Sequence, residues 1–288
     1  MTEQPNFGIR AIHGVKVPPP CYQGGCVSRA SELWKRIQHP WPAWRLIWGN
    51  REALGGNLFL LKVISAGLVV IALLYFLPNH LVNQPHAAWW NPETSLDRAI
   101  PVVPWSIVPY TSLYMFYIAT LVCTPRNDRG RLELLLGLQG MFLMTVIGVF
   151  FFVAFPTEVS IRSQLAPELL AGEGWPGKLY GGLHTLDAPY NAWPSLHVAQ
   201  SLYLALAMTV WLKREHADAR WLLPVLVFLW VDWSALSLSI LTTKQHYLWD
   251  MVTGAALGLA FWHWHTKPLI DHYDTLDESY FEDPFAQS

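Results

Sequence analysis

Six stretches of the chain stay apolar for about the 20 residues a helix needs to cross a bilayer's hydrocarbon core. They run Leu58 to Leu77, Val103 to Cys123, Leu134 to Phe155, Ser195 to Leu212, Trp221 to Thr243 and Tyr247 to Trp264. Lys62 interrupts the first only near one end, where a long side chain can snorkel. Pro78 and Pro156 stop the first and third runs. Pro194 stands at the entry of the fourth, where a missing N–H costs nothing. The sixth carries Gly254-Ala255-Ala256-Leu257-Gly258, a small-residue face that lets another helix approach closely. The pattern predicts an all-α membrane protein, a six-transmembrane-helix bundle over 57–266.

The flanks differ. Residues 1–30 are polar and rich in Pro and Gly, and they read as a disordered tail with no cleavable signal peptide. Over 31–54, Trp34, Trp41, Trp44 and Trp48 alternate with Lys35, Arg36, Arg45 and Arg51. That mix suits a segment lying in the headgroup layer; the alternative is a short helix packed on a protein surface. Residues 267–288 are acidic and poor in aliphatics, which predicts a solvated, disordered tail with no catalytic role.

Lys and Arg fall unevenly between the runs. The N-terminal segment, Arg126, Arg129, Arg131, Lys213, Arg214, Arg220 and Lys267 share one side, while the other holds only Arg98, Arg162, Lys178 and Lys244. The positive-inside rule then places both termini in the cytoplasm. The outer ends of the fourth and sixth runs face the opposite side.

Composition supports the class. Residues are 52% hydrophobic and 14% charged, against about 25% charged for soluble proteins. The 16 tryptophans fit a chain with two membrane–water interfaces. No basic stripe of the kind a nucleic-acid binder needs is present. Cys21 and Cys26 flank Tyr-Gln-Gly-Gly, and Cys123 ends the second run. One such pair lacks the four ligands a structural zinc takes.

The chemistry collects at the outer ends. His246 and Asp250 are spaced i, i+4, on one helix face. The carboxylate can accept a hydrogen bond from one ring nitrogen and leave the other free as base or nucleophile. His197 opens the fourth run in Pro194-Ser195-Leu196-His197. Arg162, Lys178, His184, Asp187, Tyr190 and Asn191 lie on the loop before it, and Thr242, Thr243, Lys244 and Gln245 precede His246. Two histidines, one oriented by a carboxylate, together with nearby cations suit phosphoryl transfer: one attacks phosphorus and the other protonates the leaving oxygen. A metal site of His197, His246 and Asp250 is the alternative, though Asp250 is better used to orient His246. Asp232, inside the fifth run, has no assigned role.

These residues resemble the type 2 phosphatidic acid phosphatase superfamily. Pro194-Ser195-Leu196-His197 is similar to its second motif and His246-x3-Asp250 to the end of its third. The wording of Asn191-Ala192-Trp193-Pro194-Ser195-Leu196-His197 and Thr242-Thr243-Lys244-Gln245-His246-Tyr247 is nearest the inositol phosphorylceramide synthase-like branch. The resemblance covers about residues 60–265 and implies six spans, an outward-facing site and no metal or other cofactor. It makes His246 the nucleophile that forms a phosphohistidine, Asp250 its orienting partner and His197 the acid and later the base. Ser195 would hydrogen-bond the phosphate.

The chain departs from the pattern at two places. Ser239 fits the serine of the third motif, but Ile240 stands where its arginine is expected. In the first motif Phe155 occupies the lysine slot and Ser163 the proline slot, leaving Arg162 as the candidate arginine. Lys244 is a plausible substitute cation and Lys178 a weaker one. The candidate substrate-binding residues are therefore Ser195, Arg162, Lys244, Asn191 and Tyr190, with loop scaffolding as the alternative for His184, Tyr190 and Asn191.

The expected protein is a membrane enzyme that hydrolyses a lipid phosphate ester, placed in a bacterial inner (plasma) membrane with its site on the periplasmic or extracellular face. Its partners would be the lipid substrate and membrane lipids. Two rivals remain: a phosphotransferase that passes the phospho-headgroup to a lipid alcohol, and a transporter or scaffold with a degenerate site.

Overall fold

The computed structural model describes residues 39–76, 90–186, 189–190 and 192–285. The expectations for residues 1–30, for Trp34, Lys35, Arg36, Cys21, Cys26 and Pro78, and for Asp187 and Asn191 lie outside them. Every helix or turn among the described residues serves one bundle. Its helices are α1 (Arg45–Trp48), α2 (Asn57–Ile71), α3 (Ser95–Ala99), α4 (Ile107–Thr111), α5 (Leu113–Cys123), α6 (Asp128–Ala154), α7 (Pro167–Leu170), α8 (Gly174–Leu186), α9 (Leu196–Glu215), α10 (Leu222–Thr242), α11 (Leu248–Phe261), α12 (Lys267–Tyr273) and α13 (Glu278–Glu282).

Among the described residues, four helical stretches are long and apolar enough to cross a membrane: Ala53–Tyr75, Pro104–Cys123, Asp128–Ala154 and Leu222–Thr242. The two remaining runs also fold as helix, but they are more polar or shorter. The 20 residues of α9 amount to about 30 Å at 1.5 Å per residue. Gln200, Ser201 and Thr209 interrupt its apolar surface. The 14 residues of α11 continue through a π-helical turn, Trp262–Thr266, into α12.

α9 is the axis of the bundle and is buried along most of its length. Its closest partner is α11, and the glycine face identified in the sequence is the reason. A Cβ at Gly258 would lie 2.6 Å from the Ala199 carbonyl oxygen, and one at Gly254 would collide with the Ser195 carbonyl oxygen. Only hydrogen at these positions lets the two backbones touch. The N-termini of both helices therefore meet at one end of the bundle, where the Ser195 N–H donates to the Asp250 carbonyl oxygen at 3.1 Å.

The opposite end is tied by charge. Glu133 of α6 accepts from Arg129 Nε (2.9 Å), from both Arg214 Nη atoms (2.8 and 2.9 Å) and from Trp211 Nε1 (2.6 Å). Arg51 pairs with Asp128 at 2.9 Å, and Arg129 also pairs with Asp274. A buried carboxylate needs such partners, so the cations at this end hold the bundle together.

The C-terminal segment corrects the sequence reading through residue 285. It is helical in α12 and α13, and it buries Ile270, Tyr273, Phe281 and Phe285 in the main core. These four apolar side chains fall on the inner side of an otherwise acidic stretch, where a compositional reading does not see them. Phe285 packs against Trp48 with ring centroids 6.2 Å apart, and its carbonyl accepts from Arg45 Nη2 at 2.8 Å. Trp44 and Trp48 also point inward: Trp44 Nε1 donates to Gln139 Oε1 of α6 at 2.9 Å. Asp232 of α10 lies beside Ser112, between α4 and α5.

Candidate active site

Ser195 is the N-cap of α9, and Pro194 sits just outside the helix rather than in its first turn. An N-cap serine usually turns its hydroxyl back onto the helix's free N–H groups. Here it makes no such bond. Ser195 is fully buried and its Oγ has no hydrogen-bond partner. His197, in the first turn, stands with its ring centroid 5.9 Å from that of His246, and its other side meets the Tyr110 ring at 4.5 Å.

His246 lies on the tight turn between α10 and α11 and is 5% exposed. Its Nδ1 is 2.9 Å from the Ala192 carbonyl oxygen and 3.3 Å from Asp250 Oδ2. Both partners are acceptors, so Nδ1 carries the proton and the lone pair resides on Nε2. That Nε2 is buried without a partner. The spacing of His246 and Asp250 predicts the carboxylate contact. The nearer Ala192 carbonyl comes from a loop 54 residues away and leaves no trace in the local pattern. Asp250 Oδ2 also accepts the Tyr247 N–H at 2.8 Å, which fixes the carboxylate in the first turn of α11.

The turn itself is held from outside by a segment that the sequence reading passed over. Lys244 has φ +56°, a left-handed conformation uncommon for a residue with a side chain, and is fully buried. Its ammonium donates to the Asp97 and Ile100 carbonyl oxygens at 2.7 and 2.6 Å. Burial pushes this ammonium below the ordinary lysine value; the Asp97 carboxylate opposes that and Arg98 adds to it. Asp97, 2% exposed, accepts the Leu248 N–H on Oδ1 at 2.7 Å and is fixed by Thr94 through Oδ2. Val103 N–H and Ser106 Oγ grip Thr242 at 3.0 and 2.7 Å. A signal was present in the sequence: Thr94-x-x-Asp97 has the form of a capping box, and it caps α3.

Two of the remaining candidates, Arg162 and Tyr190, lie on chain that is tied to Tyr247, the residue after His246. Tyr247 Oη donates to the Glu158 carbonyl oxygen (2.8 Å) and receives the Ser160 N–H (2.9 Å). The turn Ser160–Gln164, which carries Arg162, is thereby anchored to the residue beside His246. The Val159 and Thr157 N–H groups bind the Pro189 and Tyr190 carbonyl oxygens at 2.8 and 3.3 Å, joining this strip to the strand of chain that leads to Ser195. Tyr190 is buried. Burial pushes its phenol above the ordinary value, and Glu158 adds to the rise. Ile240, where an arginine was expected, is fully buried in an apolar cluster with Tyr110, Tyr180 and Val198. Among the described residues no group of three His, Cys, Asp or Glu side chains gathers as metal ligands.

An aromatic wall adjoins both motifs. Trp193 and Trp249, one residue before Pro194 and Asp250, meet at 6.2 Å, and Trp90 contacts them at 5.0 and 6.0 Å. Phe151 and Phe155 close the far side of Trp193.

These features define a helical protein with membrane-length apolar helices and two neighbouring histidines, of which the buried one, His246, is held by a carboxylate. The chain belongs to the PAP2 superfamily, whose model matches residues 79–264, well over half of its length. Membership carries a phosphatase- or phosphotransferase-type activity. No curated protein and no solved structure gives a match.

Proposed function

We propose that this protein is a lipid phosphoesterase that works through a phosphohistidine on His246. The observation that carries the reading is the state of that ring: Nδ1 is held by Ala192 and Asp250, Nε2 is unengaged, and a second histidine stands 5.9 Å away. His246 Nε2 attacks phosphorus as the bond to the leaving alkoxide breaks, and protonated His197 gives that oxygen its proton. Neutral His197 then takes a proton from water, whose oxygen attacks phosphorus and breaks the P–N bond. Such acid catalysis contributes roughly 10²–10⁴ in rate. Asp250 balances the positive charge that grows on the attacking imidazole, and the Ser195 hydroxyl donates to a phosphate oxygen.

Arg162 supplies the cation that the missing motif arginine would have supplied. Lys244 acts chiefly by shaping the turn, with its charge behind the nucleophile. The six helical runs form six spans with both termini in the cytoplasm and the site at the outer leaflet of a bacterial inner membrane. Tryptophans favour the interface, which supports Trp90, Trp193 and Trp249 as the surface along which the headgroup arrives. A cavity of about 300 Å³, lined by residues such as Leu68, Tyr117, Leu138, Tyr203 and Trp211, lies deeper in the bundle. Along α9 it runs from about 9 to about 21 Å below His197 at 1.5 Å per residue, and its lining suits hydrocarbon.

The second reading, transfer of a phospho-headgroup to a lipid alcohol, is favoured by the wording around Ser195 and His246, nearest the inositol phosphorylceramide synthase-like branch. The deciding experiment supplies phosphatidic acid, labelled in its phosphate, to the purified protein with and without ceramide as acceptor. Free phosphate alone supports hydrolysis and a labelled new lipid supports transfer. No turnover of this or other lipid phosphates overturns both readings.

A further inference from the structure

Buried polar atoms are nearly always hydrogen-bonded, and those that are not call for an explanation. Several in this bundle surround the histidine pair. Ser195 Oγ and His246 Nε2 belong to the phosphate site proposed above. Gln245 Oε1 and Tyr180 Oη do not. Gln245 is 1% exposed and Tyr180 fully buried.

Their placement is defined. Gln245 precedes His246 on the same tight turn. Its Nε2 donates to the Thr243 carbonyl oxygen at 2.9 Å, which fixes which end of the carboxamide is nitrogen, and it meets His184 Nε2 at 3.2 Å. With Nε2 as donor, His184 Nε2 is the acceptor and the His184 proton lies on Nδ1. His184 and Tyr180 are i, i+4 neighbours on α8, with ring centroids 6.0 Å apart. Tyr180 packs in the cluster that holds Tyr110, the residue stacked on His197. Burial pushes the Tyr180 phenol well above its ordinary value, so it remains an O–H donor.

We propose that Gln245 and Tyr180, set by His184, form a second polar subsite beside the histidine pair that takes a hydroxyl group of the leaving headgroup or of an acceptor alcohol. This rests on the phosphoryl-transfer reading. The chemistry follows from the two orphan atoms. Gln245 Oε1 only accepts, and Tyr180 Oη is a donor. An ionised phosphate oxygen only accepts and an ammonium only donates, so each satisfies one of the two. An alcohol O–H donates to Gln245 and accepts from Tyr180. A site built around a hydroxyl discriminates strongly against an analogue that lacks it, because its own polar groups are then left unpaired.

The test compares full-length wild type with Tyr180→Phe and Gln245→Leu in lipid–detergent micelles. Three reactions are followed: hydrolysis of phosphatidic acid, cleavage of phosphatidylglycerol, and transfer of phosphate from phosphatidic acid to added glycerol. Each variant is expected to lower the rate of one of the hydroxyl-bearing reactions at least about tenfold more than it lowers phosphatidic acid hydrolysis. Selective loss of phosphatidylglycerol cleavage assigns the subsite to the leaving group; selective loss of transfer assigns it to the acceptor. Equal effects on all three reactions overturn the subsite and leave phosphoryl transfer standing. A wild type that turns over none of these lipids overturns both. Tyr180→Phe removes only an oxygen that nothing bonds, so its thermal unfolding should match wild type. A measurement without variants is binding of glycerol 3-phosphate against ethyl phosphate to wild type, followed by tryptophan fluorescence. Tighter binding of the glycerol compound supports the subsite, and equal binding counts against it.

Discussion

The carboxylate of Asp97 accepts the backbone N–H of Leu248 at 2.7 Å, across 151 residues of sequence. The helix that carries Asp250 is thus capped from another part of the chain, and the capping residue's own carbonyl holds Lys244. Asp97→Ala should remove about 1–2 kcal/mol of stability, the range for a lost helix cap. It should also lower kcat on the order of tenfold as the turn around His246 loosens. Asp97→Asn keeps an acceptor oxygen and should recover most of both. Thermal unfolding in detergent and steady-state kinetics check this. Unchanged kinetics in Asp97→Ala would remove Asp97 from the positioning of His246.

Close contact between α9 and α11 sets the separation of the two histidines. Gly258→Leu forces those helices apart at Ala199. A misplacement near 1 Å costs about 10²-fold, so the variant should insert in the membrane yet lose at least that much activity. Membrane content measured beside turnover separates the two effects.

Asp250→Asn should be milder than His246→Ala. The Ala192 carbonyl still accepts the Nδ1 proton at 2.9 Å and keeps the tautomer in which Nε2 can attack. What is lost is the negative charge opposite the developing imidazolium. A fall of about 10–100-fold in kcat is expected, roughly 1.4–2.7 kcal/mol of barrier, against near abolition in His246→Ala.

Glu93 gives the segment around Ser160 an acid limit. Burial alone would raise its carboxyl, but hydrogen bonds from Ser160 and Arg98 and the Arg98 charge hold it below the ordinary 4.5. A carboxylate with a depressed folded value contributes stability above its unfolded value and loses it as pH falls through the folded one. Wild type should therefore destabilise as pH drops below about 4.5, and Glu93→Gln should flatten that part of the profile. Thermal unfolding between pH 3 and 6, values chosen to bracket roughly the ordinary glutamate range, provides the check.

How much of this was legible in the sequence depends on range. His246 stands four residues before Asp250, just ahead of the N-cap Tyr247, and Gly254 and Gly258 repeat on one face, so both features follow from local spacing. The pairing of α9 with α11, and hence of His197 with His246, needed the topology as well. Ala192 and Asp97 reach the turn through the backbone and across long separations, and nothing in their residue type announces a partner. The tryptophans near α1 were ambiguous for another reason: the same mixture of indole and guanidinium serves a headgroup layer or a protein contact. Trp44 and Trp48 make the protein contact, and Phe285 of the acidic C-terminal segment completes it.

The central claim is that His246 Nε2 becomes phosphorylated. The direct measurement uses His197→Ala with ³²P-labelled p-nitrophenyl phosphate, whose leaving group needs no proton. The histidine that activates water is missing in this variant, so the phosphohistidine should accumulate. The account predicts acid-labile, alkali-stable label on the peptide that contains His246, together with a burst of nitrophenol matching the enzyme concentration. Turnover of this substrate by wild type with no label on that peptide in His197→Ala, or with label on another residue, would contradict it.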